Sequence, residues 1–206
     1  MVKNGFLSFA AAAAIIAFAS SATAAPITTA PETIVANGNV KLVYIGALAG
    51  DKSYLSLVGG PSKIFCNNAM SGCAASTAGQ VADLGTLSGP LVFTMKDTSV
   101  INLFDTANLA SDGFYHANVV SNYADLGIFA EPAGLDALIS SLSSGPGALV
   151  RYVGFEDRLH GDYDYNDFVF AVISTPLQNN PVPEPATLGL LGAGLLGLRL
   201  HRRRRA

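Results

Sequence analysis

Short apolar runs separated by turn residues fill the middle of the chain. Seven runs rich in β-branched and aromatic residues predict strands at residues 40–48, 54–58, 91–95, 99–103, 115–121, 148–155 and 168–174. Glycine, proline, serine and aspartate cluster between them and predict turns at residues 59–61, 88–90, 111–113 and 145–147. The alternation of short strands and turns is typical of an all-β domain.

One segment has a different period. Leu135, Leu138, Ile139 and Leu142 are spaced as one apolar face of a helix, shortly after Pro132. Many short strands with a single short helix predict a mainly β fold, a β-sandwich or jelly-roll-like single domain. We assign this β-rich extracellular domain to residues 25–178.

The first 24 residues have the pattern of a secretory signal peptide. Lys3 gives a positive start, residues 6–18 are apolar apart from Ser8, and Ala22-Thr23-Ala24 provides small residues before the cleavage point. The alternative is an uncleaved N-terminal anchor, which the short apolar run and the A-x-A site disfavour.

The other end of the chain, residues 179–206, combines a proline-rich linker, an apolar stretch and a basic cluster. Residues 186–200 would form a helix of about 22 Å, against about 30 Å of hydrocarbon in a bilayer. The stretch is therefore short for a permanent span. The final cluster predicts a cytoplasmic end, so that a single transmembrane sorting helix would tether the body outside. The cluster comprises Arg202, Arg203, Arg204 and Arg205.

Pro183, Glu184 and Pro185, followed by the glycine-bearing apolar stretch and the arginines, resemble a PEP-CTERM sorting signal. The resemblance implies export by a Gram-negative bacterium, usually one that makes exopolysaccharide, and processing of the tail by an exosortase. The implied partners are the exosortase, the export machinery and, transiently, the inner membrane. The implied destination is the cell surface or the extracellular matrix. The alternative is a plain tail anchor with a chance Pro-Glu-Pro.

The charge of the body changes which partners are expected. Between both ends lie six basic residues and fourteen acidic ones. A domain this acidic has no basic face for phosphates, which argues against nucleic-acid binding. It would also repel anionic polysaccharide unless a divalent cation bridged the two.

Cys66 and Cys73 are the two cysteines of the chain and flank a polar segment. In an oxidising compartment they predict a disulfide. A catalytic cysteine paired with His116 or His160 is the alternative that the spacing does not favour.

Residues 154–172 concentrate the candidate chemistry. Their oxygen donors are Glu156, Asp157, Asp162, Asp164, Asn166 and Asp167. Five formal negative charges in so short a stretch repel one another, and Ca²⁺ binds such oxygen ligands on a pliable loop. Asp162, Asp164 and Asn166 alternate as in D-x-D-x-N calcium loops, although an EF-hand would need glycine and glutamate where Asp167 and Ile173 stand. The alternative is a loop in which the carboxylates accept backbone N–H groups and no metal is needed.

The same stretch resembles the end of the DUF4114-like bacterial extracellular domains. Residues 155–157 (Phe-Glu-Asp) and 162–167 (Asp-Tyr-Asp-Tyr-Asn-Asp) follow that family's order. The resemblance implies a surface or adhesive module. Tyr163 and Tyr165 could also form a sugar-stacking platform, although tyrosines beside a strand are more often half-buried.

These observations predict a non-enzymatic, exported surface or exopolysaccharide-matrix protein, stabilised by calcium. A carbohydrate-binding, lectin-like module is one alternative. A polysaccharide hydrolase is another, with Glu156 and Asp164 as acid and base if they lie about 5–9.5 Å apart. Tryptophan commonly lines sugar-binding clefts, and the chain contains none, which disfavours the hydrolase.

Overall fold

The structure is a computed structural model that describes residues 25–177. The predicted signal peptide and the tail segment from residue 178 onwards lie outside the described residues. The sorting motif and the arginine cluster therefore also lie outside the described residues. Their members are Pro183, Glu184, Pro185, Arg202, Arg203, Arg204 and Arg205.

Two antiparallel sheets pack face to face as a β-sandwich. The strands are β1 (Ile34–Gly46), β2 (Ser53–Leu57), β3 (Phe65–Cys66), β4 (Val81–Leu91), β5 (Phe93–Asp97), β6 (Leu103–Asp105), β7 (Ala117–Val120), β8 (Leu149–Phe155) and β9 (Phe168–Pro176). The five-stranded sheet has the order β4-β1-β9-β8-β7, and the four-stranded sheet has the order β3-β2-β5-β6. This arrangement agrees with the predicted β-sandwich with one short helix.

Two hydrophobic cores lie on opposite faces of the five-stranded sheet. The larger one fills the space between the sheets, with Phe93, Phe155 and Phe170 completely buried. The smaller one packs the outer face beneath helix α1 (Leu135–Leu142) and a 3-10 helix (Tyr123–Leu126). Strand β9 is consequently buried on both faces, which explains its nearly unbroken apolar sequence.

The predicted helix is confirmed in position and in the face that it buries. Leu135 and Ile139 are buried, and Leu138 and Leu142 pack partly against the same core. The strands predicted at residues 54–58, 115–121, 148–155 and 168–174 are confirmed as β2, β7, β8 and β9. Of the strand predicted at residues 40–48, residues 40–46 form the second half of β1, which begins at Ile34, and residues 47 and 48 lie beyond its end.

The prediction of a strand at residues 99–103 is wrong except at its last residue. The side chain of Asp97 ends β5 by accepting the backbone N–H groups of Ser99 and Val100, at 2.6 and 3.4 Å. This Asx-type turn reverses the chain, and Ile101 follows with a φ of 61°. The apolar residues of this segment therefore belong to a turn and not to a strand.

The prediction of a turn at residues 88–90 is also wrong, because these residues belong to β4. Within the described residues this strand pairs with β1 alone and forms an edge of the sheet, a position where a strand tolerates proline. A register shift lies where Gly85, with a φ of 73°, pairs opposite Val40. Such glycine-containing bulges are common in edge strands. The glycines and the proline of β4 give its sequence the pattern of a loop.

The predicted disulfide is present between Cys66 and Cys73. Their Cα atoms are 6.3 Å apart, and the bond ties strand β3 to the turn that follows it. Because both cysteines are bonded, neither is available as a catalytic thiolate, and the alternative involving His116 or His160 is wrong.

We expect the disulfide to stabilise the fold by limiting the unfolded chain. Closing a loop of this length contributes about 2–3 kcal/mol, which corresponds to about 5–10 °C in Tm. Reductant should lower the melting temperature of the wild type by this amount and leave a Cys66→Ser/Cys73→Ser variant unchanged. Equal melting of oxidised and reduced protein would contradict the prediction.

Candidate functional site

The six predicted oxygen donors all lie in the connection between β8 and β9. These strands are adjacent and pair Phe155 with Phe168, so residues 156–167 form a closed loop at one end of the sandwich. Glu156 and Asp157 are only 2 % and 4 % exposed, because they directly follow the buried end of β8. Burying two carboxylates is costly unless they are neutralised or bound.

The loop is folded tightly around Glu156. His160, Tyr163 and Tyr165 adopt left-handed backbone conformations with φ of 55°, 55° and 54°. At Gly161 a Cβ atom would lie 2.2 Å from Glu156 Oε1, so any larger residue would have to displace the carboxylate. The local sequence therefore wraps the backbone closely around one acidic side chain.

Glu156 is held by backbone groups and faced by other carboxylates. Its Oε1 accepts the N–H of Arg158 at 3.2 Å, and its Oε2 accepts the N–H of Tyr163 at 2.9 Å. One carboxylate oxygen from each of Glu156, Asp162 and Asp164 lies within 4.8 Å of the other two. Burial, together with the charge of Asp167, raises the pKa of Glu156 to about 8.

Asp157 and Asp167 form the inner side of the same cluster. Asp167 Oδ2 accepts the N–H of Asp157 at 2.9 Å, and these two carboxylates also lie within 4.8 Å of Glu156. Burial and the neighbouring charges of Asp167, Asp97 and Asp51 raise the pKa of Asp157 to about 7. Burial likewise raises the pKa of Asp167.

Asn166 joins the cluster through Asp164. Its side-chain amide and its backbone N–H both donate to the Asp164 carboxylate, the latter at 3.3 Å. Its backbone carbonyl accepts the N–H of Leu48, which fixes the loop to the end of β1. The alternating Asp162, Asp164 and Asn166 thus converge in space, and several carboxylates also make the backbone hydrogen bonds expected of an ordered loop.

Two further carboxylates, Asp51 and Asp97, lie at the same end of the sandwich and were missed in the sequence. One oxygen from each lies within 4.8 Å of an Asp157 oxygen. Arg158 donates to Asp51 Oδ2 from Nε and Nη2, at 2.9 and 2.6 Å. Only the pairing of distant strands brings these residues together, and no local motif marks them.

A buried aspartate–histidine pair supports the outer side of the loop. Asp112 Oδ2 lies 3.0 Å from His116 Nε2 and accepts hydrogen bonds from the Tyr163 hydroxyl and the His160 backbone. Burial opposes ionisation of Asp112, but these hydrogen bonds prevail and lower its pKa to about 2. The His116 ring stacks on Phe104 at 4.0 Å.

The tyrosines of the loop do not form a shared sugar-stacking platform. Tyr165 is 1 % exposed; its hydroxyl donates to the Tyr115 carbonyl and accepts the N–H of Ile27. Tyr163 packs edge-on against Phe114, with ring centres 5.4 Å apart. Both rings therefore help to hold the loop on the domain.

Comparison with known families identifies one segment of the chain. Residues 181–205 match the family described as the PEP-CTERM protein-sorting motif. The chain carries a PEP-CTERM motif. The match includes Pro183, Glu184, Pro185 and the four predicted membrane-stop arginines.

The PEP-CTERM motif implies an exported protein that is anchored in the membrane and then processed by an exosortase. Comparisons with curated proteins and with solved structures found no match. Within residues 25–177, no helix has the length and apolar character needed to cross a membrane. The resemblance of the acidic loop to the DUF4114-like domains stays a prediction.

The raised pKa values predict how metal-free stability depends on pH. Folding favours the protonated forms of Glu156 and Asp157, because burial raises the pKa of both groups. Their contribution to the free energy of unfolding is therefore complete at acid pH and is lost as the pH rises through about 7 to 8. In a chelator, Tm should fall by on the order of 5 °C between pH 5 and pH 8.5.

An Asp157→Asn variant, which cannot ionise at this position, should show a smaller fall in Tm. Asp125→Asn, which changes an exposed carboxylate on the 3-10 helix, should keep the full fall. Differential scanning calorimetry across this pH range measures all three proteins. A Tm that stays constant or rises towards pH 8.5 in the wild type would refute the prediction.

Proposed function

We propose that the protein is a non-enzymatic, exported surface or exopolysaccharide-matrix module whose β-sandwich is stabilised by Ca²⁺ in the loop 156–167. The observation that carries this proposal is the convergence of carboxylate oxygens, those of Glu156 and Asp157 almost completely buried, at one end of the sandwich. The proposed ligands are Glu156, Asp157, Asp162, Asp164, Asn166 and Asp167.

The donor set favours a hard cation. Every candidate ligand is a carboxylate or amide oxygen, and Ca²⁺ takes six to eight oxygens in flexible geometry. Within the described residues the cluster of seven carboxylates contacts one guanidinium, that of Arg158. The carboxylates of the cluster are Asp51, Asp97, Glu156, Asp157, Asp162, Asp164 and Asp167. A divalent ion would offset part of this negative charge without a conformational change in the sheets.

The destination of the protein makes calcium a reasonable ligand. Extracellular modules commonly bind Ca²⁺ with dissociation constants of about 10⁻⁴–10⁻³ M, which suits the higher calcium outside cells. The PEP-CTERM motif supports export, and the Cys66–Cys73 disulfide is consistent with an oxidising compartment. An acidic body that carries calcium could also contact anionic polysaccharide through the ion.

The geometry of the loop favours a structural role over hydrolysis. Glu156 is almost completely buried, and both of its oxygens already accept backbone N–H groups. A general acid must instead reach a glycosidic oxygen of the substrate. We therefore retain the non-enzymatic assignment, with a lectin-like module and a hydrolase as alternatives. Retention on immobilised glycans would favour the lectin, and release of reducing sugars would overturn the non-enzymatic assignment.

Calorimetric titration of the full-length chain in mild detergent tests calcium binding. Saturable uptake should raise Tm by about 5–10 °C when free calcium is about 100-fold above Kd. An Asp164→Ala/Asp167→Ala variant should lose the uptake that belongs to the loop, and Mg²⁺ should bind more weakly because it demands stricter octahedral geometry.

Asp125→Asn serves as the matched control, because it removes one carboxylate from an exposed position outside the cluster. It should bind calcium as the wild type does. If the wild type shows neither heat nor a calcium-dependent change in Tm, or if the double variant binds as the wild type does, the proposed loop site is wrong.

A further inference from the structure

We propose a second calcium site, formed by Asp51, Asp97 and Asp157 with the hydroxyl of Ser53, at the junction of the two sheets. It goes beyond the loop site because Asp51, Asp97 and Ser53 lie outside residues 156–167. Its ion would connect the sheets directly.

The three carboxylates reach one point from three separate parts of the fold. Asp97 ends β5 in the four-stranded sheet, Asp157 follows β8 of the five-stranded sheet, and Asp51 lies in the connection between β1 and β2. One oxygen from each lies within 4.8 Å of the other two. A single cation of ordinary Ca–O distance, about 2.3–2.6 Å, could contact all three.

Two buried polar atoms in this region have no hydrogen-bond partner among the described residues. Asp97 is completely buried; its Oδ1 accepts two backbone N–H groups, but its Oδ2 accepts none from residues 25–177. Ser53 is also completely buried, and its Oγ is likewise unpartnered within that range. Leaving such atoms unpaired costs free energy, most of all for a carboxylate oxygen.

Ser53 and Asp97 are direct neighbours across the β2–β5 pair. Directly opposed residues in antiparallel strands project from the same face of the sheet, with their Cβ atoms about 4.5–5.5 Å apart. The Ser53 hydroxyl and the unpartnered Oδ2 of Asp97 therefore belong to neighbouring side chains on the same face of the four-stranded sheet. A metal ion bound by both would supply the partner that each atom lacks.

The local charge matches a divalent ion. Arg158 makes its hydrogen bonds to Asp51 and lies 4.0 Å from Asp157, whereas within the described residues no basic group lies within 4.0 Å of Asp97. Three carboxylates and one guanidinium leave two negative charges. The Arg158 side chain is 59 % exposed, so solvent screens its compensation of Asp51.

The two sites can be separated by counting bound calcium in variants of the full-length chain. Equilibrium dialysis of the wild type should give two ions per chain. Asp97→Asn should keep only the ion of the loop site, and Asp164→Ala/Asp167→Ala should keep only the ion of the second site. The variant that combines these substitutions should bind no calcium. Ser53→Ala should keep two ions but weaken one of them by about tenfold.

Asp105→Asn is the matched control. Asp105 ends β6 and accepts the backbone N–H groups of Ala107 and Asn108, as Asp97 does for Ser99 and Val100, but it lies outside the cluster. It should keep both ions. If Asp97 only shapes the turn and binds no calcium, Asp97→Asn should also keep both ions, as this control does.

The metal-free melting temperature gives an independent readout. Asp97→Asn removes a buried carboxylate that forms no ion pair within residues 25–177, so Tm in chelator should rise, whereas the increase in Tm caused by calcium should shrink. If Asp97→Asn and Ser53→Ala both bind calcium as the wild type does, the second site does not exist. Loss of one ion in Asp97→Asn but none in Asp164→Ala/Asp167→Ala would support this site and refute the loop site.

Discussion

The burial of Glu156 and Asp157 directly after β8 is the constraint on which the rest of the site depends. Strand β8 pairs with β9, which is covered by a core on each face, so the chain cannot shift to expose these carboxylates. The loop must instead satisfy them where they lie. This requirement accounts for the left-handed residues of the loop, the close approach of Gly161 to the Glu156 carboxylate and the converging aspartates.

This constraint connects the folding of the domain to its chemistry. The apolar cores fix the ends of β5 and β8, and these ends place acidic side chains where their charges repel one another. Protonation relieves the repulsion at acid pH, and a hard cation would relieve it at neutral pH. An exported protein that meets calcium outside the cell would then gain stability at its destination, which is the role that we propose for the cluster.

The elements with a strong pattern could be predicted from the sequence, and those defined by pairing could not. The apolar stripe of α1 and the apolar run of β9 are local signals, and both elements were predicted. Strand β4 was missed because Gly85, Gly89 and Pro90 favour turns in isolation and are tolerated here only at a sheet edge. The loop aspartates share one motif, whereas Asp51 and Asp97 join them through the packing of the two sheets.

The most direct test of calcium at this end of the sandwich is anomalous diffraction from crystals of the full-length protein grown with calcium. We predict an anomalous peak within coordination distance of Glu156, Asp162 and Asp164, with the ion about 2.3–2.6 Å from their oxygens. A loop with this same conformation and no anomalous peak at millimolar calcium would contradict it. The carboxylates would then be held by backbone hydrogen bonds and protonation alone.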